Sequence, residues 1–333
     1  MLKYNPFPSL LNASQPWVRY NLHKNLLTNN IDEDELLKHK KIMLKDLFIK
    51  NCIESSKKWE NIPLKRHNDA KHPIHHLEIL VEFGLNREDP GISQICEQIL
   101  NHQSSEGALL TNILVPKRFR GSGEPSWDWM TCDIPILIYF LSYMGYKTDE
   151  RIKKAVNHLI NLARENGFGC FSSIPKFRGP GRKDDHCPYG NLLALKALAF
   201  HNTQRVRKVC ENALQAQLDF WENRKQRKIY LFGIGTDFKK LKYPNIYYNI
   251  IHVLDVLSLY EDARKTQAFQ EMLAIVNRKQ REEGGFIPES IWRAYNSYDF
   301  GQKKESSPTL TYKIALINHR FGLFPKEWLI NEN

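Results

Sequence analysis

The densest group of reactive side chains in the sequence lies directly before an apolar segment. Asp184, Asp185, His186 and Cys187 precede the run PYGNLLALKALA. Carboxylates, imidazoles and thiols are the groups that enzymes use as acids, bases, nucleophiles and metal ligands. The proline predicts the first turn of a helix, because its fixed backbone angle suits that position. His186 and Cys187 are therefore candidate catalytic residues at a helix N-terminus.

A second reactive pair, Cys132 and Asp133, occupies the same position before another proline, in the segment TCDIP. Two interpretations of Asp133 are open. An aspartate before a helix is an ordinary N-cap, which contributes about 1 kcal/mol. It is a candidate catalytic residue if the two helix starts meet, since a carboxylate near a thiol and an imidazole can transfer protons or bind a metal.

A basic loop leads into the first reactive group. The segment IPKFRGPGRK carries Arg178, Arg182 and Lys183, and arginine matches phosphate oxygens with paired hydrogen bonds. This pattern predicts a site for an anion such as a diphosphate, and the alternative is a solvated basic loop. Tyr247 and Trp292 lie in aromatic segments and are candidates for lining an apolar pocket. The alternative for Trp292 is that it packs its loop against the protein.

Prolines mark the helices that must position these residues. Five apolar segments begin at or beside a proline, at intervals of 53 to 64 residues: Pro73, Pro135, Pro188, Pro244 and Pro308. Each segment is apolar on more than one face, which is typical of a helix covered by protein on most sides. Between them, segments such as DERIKKAVNHLINLAR are apolar on one face and predict outer helices.

The predicted outer helices end in a recurring glycine turn. LNHQSSEG, NLARENG and NRKQREEG stop at Gly107, Gly167 and Gly284, which suit a left-handed helix end. The repeated unit is an αα-hairpin of roughly 58 residues, with one exposed and one buried helix. If the buried helices run parallel, their N-termini meet at one mouth, where unpaired N–H groups favour an anion.

This pattern resembles the α/α toroid of terpenoid cyclases and of protein prenyltransferase β subunits, in which proline-started inner helices alternate with outer helices that end in QxxxGGF-like turns. The likeness covers most of residues 70–322. It implies an all-α fold, an (α/α) toroid with a double ring of inner and outer helices around a cavity. Residues 1–333 would form one domain, with an N-terminal extension over 1–30 and repeats from about 31 to 325.

The segment GPGRKDDHCPYGNLL is similar to the loop and helix start at which prenyltransferase β subunits place basic residues and a zinc-binding histidine. The resemblance implies a zinc site made of Cys132, Asp133 and His186. The sequence departs from the family, in which the aspartate precedes the cysteine with one residue between them. The cyclase motifs DxDD and DCT do not occur in the sequence, and neither does the diphosphate–magnesium motif DDxxD.

The resemblance implies an enzyme of the prenyltransferase or terpene cyclase type, which binds an apolar or isoprenoid substrate with an anionic head. The reactive residues would form the chemical centre, the basic loop would bind the anion, and the two aromatic residues would line the pocket. Two alternatives are open. One is a non-catalytic toroid that carries a lipid or binds a protein partner. The other is a carbohydrate-active α/α-barrel enzyme, which predicts two carboxylates in an open cleft.

The composition of the chain limits the ligands and the location that are expected. The net charge of +11 and the pI near 9.2 favour anionic ligands, but the basic residues do not concentrate on one repeated face, so no nucleic-acid partner is expected. Six cysteines without a CxxC pair favour reduced thiols. The first residues lack a signal-peptide pattern, and no long apolar run occurs. A cytoplasmic protein without a transmembrane segment is therefore expected.

Overall fold

The computed structural model of this protein describes residues 1–27, 32–177, 179, 181–229 and 231–329. Arg178, one of the predicted anion-binding residues, lies outside the described residues. The chain divides into two compact units. Unit 1 comprises Met1–Lys50, Gly235–Asn245 and the residues from Asn249 onward, and unit 2 comprises Asn51–Ile234 and Ile246–Tyr248. That residues 1–333 form one domain stays a prediction.

Helices dominate the described residues. The α-helices are α1 (Phe7–Leu11), α2 (Pro16–Asn25), α3 (Glu33–Lys45), α4 (Leu47–Ser56), α5 (Pro73–Glu82), α6 (Ile92–Asn101), α7 (Ile134–Tyr143), α8 (Glu150–Asn161), α9 (Pro188–Leu198), α10 (Gln204–Glu222), α11 (Ile250–Leu257), α12 (Glu261–Arg264), α13 (Gln267–Asn277) and α14 (Pro308–Arg320). Short strands form two antiparallel pairs, β1 (Thr111–Leu114) with β2 (Pro125–Asp128) and β3 (Ala163–Arg164) with β4 (Gly167–Phe168). Within the described ranges, no helix has both the length and the apolar character needed to cross a membrane.

Four of the five predicted prolines begin buried helices. Pro73, Pro188 and Pro308 are the first residues of α5, α9 and α14, and Pro135 is the second residue of α7. Every residue of α9 is buried, whereas α8 buries one face. The two kinds of helix predicted from the apolar patterns are therefore both present.

Pro244 does not begin a helix, so the prediction for this proline is wrong. The helix of this segment, α11, begins at Ile250. The side chain of Asn249 accepts hydrogen bonds from the backbone N–H groups of Ile251 and His252 at 2.9 and 3.1 Å. An asparagine that satisfies two unpaired N–H groups is a strong helix start, and it sets the boundary here.

In unit 2, the helices form an inner and an outer layer. α7 packs against α5 on one side and against α9 on the other, and these three form the inner layer. α8 packs on the outside of α7, and α10 packs against α9. The β1–β2 hairpin lies in the chain between α6 and α7, at the point where the chain returns from an outer helix to an inner one. The hairpin and the loop before α9 are two of the non-helical parts that form the site.

Unit 1 has the same kind of arrangement. α14 packs against α11 and α2, α13 packs against α11, and α3 packs against α2. Trp17 of α2 donates a hydrogen bond from Nε1 to Thr309 Oγ1 of α14 at 3.0 Å, and both groups are buried. Residues 1–27, predicted as part of an extension, thus contribute α1 and α2 to the helix packing of unit 1.

The glycine turns after two outer helices share one arrangement. Gln103 Nε2 donates to the Gly107 carbonyl at 2.8 Å, and Gln280 Nε2 donates to the Gly284 carbonyl at 3.0 Å. Both glycines have left-handed backbone angles, with φ of 93° and 84°, which other residues rarely adopt. The predicted repeat is therefore present in both units. The predicted fold class, all-α with inner and outer helices in the manner of an α/α toroid, is confirmed.

Candidate functional site

Unit 2 contains a cavity of about 1170 Å³ beside the N-terminal ends of α7 and α9. Its walls come from residues 64–68, the connection between β1 and β2, the loop before α9, and Ile229, Leu231 and Phe232. Several residues predicted from the sequence line this cavity: Cys132, Arg182, Lys183, His186, Cys187 and Tyr247. The structure thus brings residues from separate parts of the sequence to one cavity.

Residues 64–68 touch strand β1 through one bridge, between Leu64 and Ile113, and then enter a turn closed by the Asp69 N–H and the Arg66 carbonyl at 3.0 Å. The Leu64 N–H donates to the Asn112 carbonyl at 2.8 Å, and the Leu114 N–H donates to the Leu64 carbonyl at 3.0 Å. This pairing satisfies backbone groups that would otherwise need water. Because the segment is fixed at Leu64, the side chain of His67 is held in the cavity wall.

His67, Cys132 and Asp133 converge on one point. His67 Nε2 lies 2.8 Å from Asp133 Oδ1 and 3.0 Å from Cys132 Sγ. Their ligand atoms all lie within 4.8 Å of one another, and no other His, Cys, Asp or Glu in the described part of the chain forms such a group of three. One ring nitrogen carries one proton or one lone pair, so it cannot fully serve both neighbours by hydrogen bonding. An imidazole, a thiol and a carboxylate that meet in this way are typical of a metal site or a proton-transfer centre.

Burial controls the charges at this centre. Burial raises the pKa of the Cys132 thiol well above its ordinary value, and the Asp133 carboxylate adds to the rise. Burial lowers the pKa of His67, but the charge and the hydrogen bond of Asp133 outweigh it, so the pKa of His67 is raised. Asp133 is fully buried, and its Oδ2 has no hydrogen-bond partner among the described residues. A buried carboxylate oxygen without a partner is costly, so this atom points to a bound ligand.

Cys187 caps the N-terminus of α9 in the same cavity wall. Its Sγ accepts a hydrogen bond from the Gly190 N–H at 3.4 Å, and its own N–H donates to the Phe168 carbonyl at 2.7 Å. Burial raises the pKa of the Cys187 thiol, which favours the neutral form. Cys170 adds a third thiol to the lining, beside Cys132 and Cys187.

His186 lines the cavity but does not belong to the group formed around His67. Its ring packs edge-on against Phe220, with 5.9 Å between the ring centroids. Burial lowers the pKa of His186 to about 4, and the positive charge of Arg227 adds to the effect. The buried Nε2 of His186 has no hydrogen-bond partner within the described ranges. The neutral imidazole is therefore available to a bound molecule as a hydrogen-bonding group.

The cavity lining is strongly cationic. Six cationic side chains occur among the described lining residues: Lys65, Arg66, Arg118, Arg120, Arg182 and Lys183. Asp185 is the single carboxylate among the same lining residues, and it forms an ion pair with Arg227. Arg164 fixes the loop before α9, since its guanidinium donates to the carbonyls of Lys183 and Asp185 at 3.0 and 2.8 Å. The loop predicted to bind an anion is thus ordered at Lys183.

Tyr247 belongs to an aromatic wall of the cavity. Its ring centroid lies 5.1 Å from that of Tyr189 and 5.6 Å from that of Phe232, and all three residues line the cavity. The Tyr189 hydroxyl donates to the Ile246 carbonyl at 2.8 Å, so this ring has a fixed position. The placement agrees with the pocket-lining role predicted for Tyr247.

Trp292 lies in unit 1 and is not one of the residues lining this cavity. Its Nε1–H donates to the Pro244 carbonyl at 3.0 Å, and the ammonium group of Lys242 stands 3.2 Å from the ring centroid. These contacts agree with the alternative role considered for Trp292, which is to pack a loop against the protein. Its predicted role in substrate binding stays a prediction.

His67 and the arginines of the β1–β2 hairpin are residues that the sequence patterns did not single out. They lie outside the helices, and the helical repeat therefore carries no information about them. The segment between TNIL and PSWD contains two glycines, but it is longer than the loop of an ordinary β-hairpin. The sequence therefore predicts neither the hairpin nor its approach to the reactive residues before α7.

Comparison with known proteins gives distant structural similarity. No family model matches the chain, and no curated protein sequence does. The fold is similar to that of the type II terpene cyclase MstE from Scytonema, at 13% identity over 92% of this chain and 88% of the other, with a TM-score of 0.45. It is also similar to a variant of UGL with dGlcA-Glc-Rha-Glc, at 9% identity over 91% and 84% of the two chains and a TM-score of 0.49. A protein from Actinoplanes shows 12% identity over 92% and 90%, with a TM-score of 0.43. At such distances, function has to follow from the chemistry of the cavity.

Proposed function

We propose that unit 2 binds an apolar substrate with an anionic, diphosphate-like head in its cavity and acts on it at the centre formed by His67, Cys132 and Asp133. The reaction would be a prenyl transfer or a cyclisation. The observation that carries the proposal is the composition of one cavity, which joins six cationic side chains, an aromatic wall, and His67 and Cys132, two members of the group of three potential metal ligands.

The cations account for the anionic head. Arg182 and Lys183 lie on the loop before α9, and the single lining carboxylate among the described residues, Asp185, is already neutralised by Arg227. Cations without nearby acidic partners repel one another, and an anion relieves this repulsion. Guanidinium groups bind phosphate oxygens with two parallel hydrogen bonds, which gives geometric selectivity as well as attraction.

Apolar and aromatic residues account for the rest of the substrate. Phe171, Phe232 and Tyr247 line the cavity together with aliphatic residues such as Ile113 and Ile229. A volume of about 1170 Å³ is slightly above the range of roughly 300–1,000 Å³ that is typical of small-molecule sites. The cavity therefore has room for an extended hydrocarbon chain as well as for the head group.

The central group fits zinc. An imidazole nitrogen, a thiol and a carboxylate oxygen are all zinc ligands, and three protein ligands leave a fourth position open, as in catalytic sites. The partnerless Oδ2 of Asp133 provides a further free donor atom. We therefore propose that His67, Cys132 and Asp133 would hold the ion, rather than the set with His186 that the resemblance implies. A bound zinc would supply Lewis acidity and would stabilise a thiolate.

The other reactive residues have supporting roles. His186, with its pKa near 4, is a poor base at neutral pH and would serve as a hydrogen-bond partner of the substrate. The Cys187 thiol, which is neutral and engaged with Gly190, would contribute apolar surface and the start of α9. Neither residue needs to change its charge in these roles.

Calorimetric titration with farnesyl diphosphate and with farnesol tests the proposal. We expect the diphosphate to bind and farnesol to bind much more weakly, because it lacks the head. The double variant Arg182→Gln/Lys183→Gln should bind farnesyl diphosphate at least about tenfold more weakly, since each charged hydrogen bond contributes about 1.5–3 kcal/mol. Equal binding of the two ligands would refute the head-group part of the proposal.

Turnover separates the enzyme from a carrier. Release of diphosphate from bound farnesyl diphosphate, in the presence of small thiol or hydroxyl acceptors, would identify a catalyst. Binding with neither release of diphosphate nor any change in the hydrocarbon chain, followed by mass spectrometry and chromatography, would identify the non-catalytic alternative. The carbohydrate alternative requires two carboxylates facing the substrate, and the described lining residues supply Asp185 alone, which is paired with Arg227.

A further inference from the structure

We propose that the connection between β1 and β2 is the second arm of a cationic clamp, in which Arg118 and Arg120 bind a diphosphate head together with Arg182 and Lys183, without a divalent cation. The inference rests on the proposed function and deepens it. It assigns binding residues outside the basic loop and names the charge of the head. The juxtaposition that carries it is a hairpin tip and a loop, far apart in sequence, lining one cavity.

The hairpin tip, which is the connection between β1 and β2 from Pro116 to Gly123, folds back on the residues that follow β1. The Gly121 N–H donates to the Pro116 carbonyl at 3.3 Å, and the Gly123 N–H donates to the Val115 carbonyl at 3.1 Å. A Cβ atom on Gly121 would stand 2.1 Å from the Val115 carbonyl oxygen, so only glycine fits there. The two arginines are therefore carried on a defined turn, and little conformational freedom of the backbone is lost when they bind a ligand.

Backbone strain occurs where the two arms meet. Arg120 and Lys176 have left-handed backbone angles, with φ of 65° and 59°, and they are the only residues other than glycine with positive φ in the described part of the chain. The Arg120 guanidinium donates to the Lys176 carbonyl at 3.4 Å. Strained residues of this kind cluster at functional sites, where the surrounding structure holds them. The strain here lies at the contact between the hairpin tip and the loop that leads to Arg182.

The balance of charge indicates a head with more than one charge. The hairpin tip and the loop contribute two lining cations each, and Lys65 and Arg66 contribute two more. A single carboxylate or sulfate would leave most of this charge unopposed, whereas a diphosphate ester offers several oxygens to separate donors. His186 also lines the cavity, its buried Nε2 has no partner among the described residues, and in the tautomer with the proton on Nε2 it would donate a further hydrogen bond to such a ligand.

The same lining argues against magnesium as the bridge to the diphosphate. Magnesium is usually held by one or two carboxylates together with the phosphates. The described lining offers Asp185, which pairs with Arg227, while Asp133 faces His67. The cations of the two arms replace the charge that magnesium would provide.

Isothermal titration with inorganic diphosphate, in metal-depleted buffer with and without added magnesium chloride, tests the clamp. We expect wild-type protein to bind without magnesium. The double variant Arg118→Gln/Arg120→Gln should bind at least about tenfold more weakly, by the same loss of charged hydrogen bonds. Lys117→Gln is the matched control, because Lys117 lies on the same turn, carries the same charge and does not line the cavity.

Each outcome decides one point. If Arg118→Gln/Arg120→Gln binds like wild type while Arg182→Gln/Lys183→Gln binds weakly, the hairpin is not an arm of the clamp, although the proposed function stands. If wild type binds only with magnesium, the metal-independent clamp is wrong. If wild type binds farnesyl diphosphate but not inorganic diphosphate, the clamp is again wrong and the proposed function survives. Circular dichroism of the variants shows whether lost binding comes from lost folding.

Discussion

The imidazole of His67 is the nitrogen donor of the central group, at 3.0 Å from a thiol and 2.8 Å from a carboxylate. We predict that protein purified without added metal contains about one zinc ion per chain, as the three-ligand set suggests. Elemental analysis should find the zinc lost in His67→Ala. It should find the zinc retained in His186→Ala, the matched control, because His186 lies in the same cavity outside that group.

The pair of variants also distinguishes the two ligand sets. Zinc lost from His186→Ala and kept in His67→Ala would support the set implied by the resemblance to prenyltransferases. A protein without zinc in all three forms would remove the metal from the proposal. The diphosphate titration is independent of this result, since Arg182 and Lys183 are not members of the group.

At the scale of single residues, the sequence predicted part of the site. Cys132 and Cys187 could be found because each lies just before a helix whose first turn contains a proline, and this position recurs along the chain. His67 could not, since its position depends on the pairing of Leu64 with strand β1, a contact between residues far apart in sequence. Local patterns carry no information about such pairing.

Among the elements, the inner helices of unit 2 are joined by a buried ion cluster. Lys196 of α9 donates to Glu78 and Glu82 of α5 at 2.8 and 3.3 Å. Its ammonium group also stands 4.6 Å from the ring centroid of Tyr139 on α7. The charged side chains are at most 6% exposed, so they depend on one another rather than on water.

Lys196→Met should lower the free energy of unfolding by roughly 3–5 kcal/mol, because it leaves two buried carboxylates without their cation. The triple variant Lys196→Met/Glu78→Leu/Glu82→Leu should recover most of this loss. Lys153→Met serves as control: its 2.7 Å pair with Glu150 is exposed, and exposed pairs contribute about 0–1 kcal/mol. Urea unfolding measures the free energy of unfolding of Lys196→Met, of the triple variant and of Lys153→Met. Similar losses in Lys196→Met and Lys153→Met would contradict the role of burial.

The boundaries of most inner helices followed from the sequence, whereas one helix start and the hairpin did not. Proline at the first turn is a local constraint, which the chain obeys in α5, α9 and α14. At α11 the Asn249 cap determines the start instead, and an asparagine between two apolar runs gives a weaker signal than proline. The hairpin has short strands of four residues each, too short for a clear alternating pattern.

At the scale of the whole molecule, each unit has a glutamine that closes a glycine turn, but the second partner of that glutamine differs between the units. Gln103 Nε2 donates to the Gly107 carbonyl and to the Arg151 carbonyl at the start of α8, at 2.8 and 2.7 Å. Gln280 Nε2 donates to the Gly284 and Tyr4 carbonyls at 3.0 and 2.8 Å. In unit 1, the N-terminal residues thus take the place that the next outer helix takes in unit 2.

Gln280→Ala should release the N-terminal segment. The side chain also accepts hydrogen bonds from the N–H groups of Lys3 and Tyr4 at 2.9 and 3.0 Å, and both would lose their partner. We expect faster hydrogen–deuterium exchange of these two amides and a loss of roughly 1–3 kcal/mol in the free energy of unfolding. Gln103→Ala is the matched control, since it alters the same turn in unit 2. Unchanged exchange at Tyr4 in Gln280→Ala would show that other contacts hold the segment.

The repeat was predictable because the same sequence pattern recurs several times along the chain. Glycine turns and apolar helices recur, and each repeat confirms the period of the others. The role of the N-terminal residues was not predictable in this way, because Lys3 and Tyr4 take the place of the next outer helix through hydrogen bonds with Gln280 rather than through a similar sequence. When a segment of unrelated sequence takes the place of a repeat helix, no repeated sequence pattern marks it.

The reactive groups and the cations of the cavity lie on different kinds of segment, and this has a consequence for the evolution of the protein. The thiol and carboxylate beside α7 belong to the helical framework, whereas the described cations come from the segment 64–68, the hairpin tip and the loop before α9. Connecting segments tolerate insertion and replacement far better than packed helices do. The head group that is recognised can therefore diverge through exchange of the hairpin tip and the loop before α9, which contain no member of the central group, whereas segment 64–68 has to keep His67.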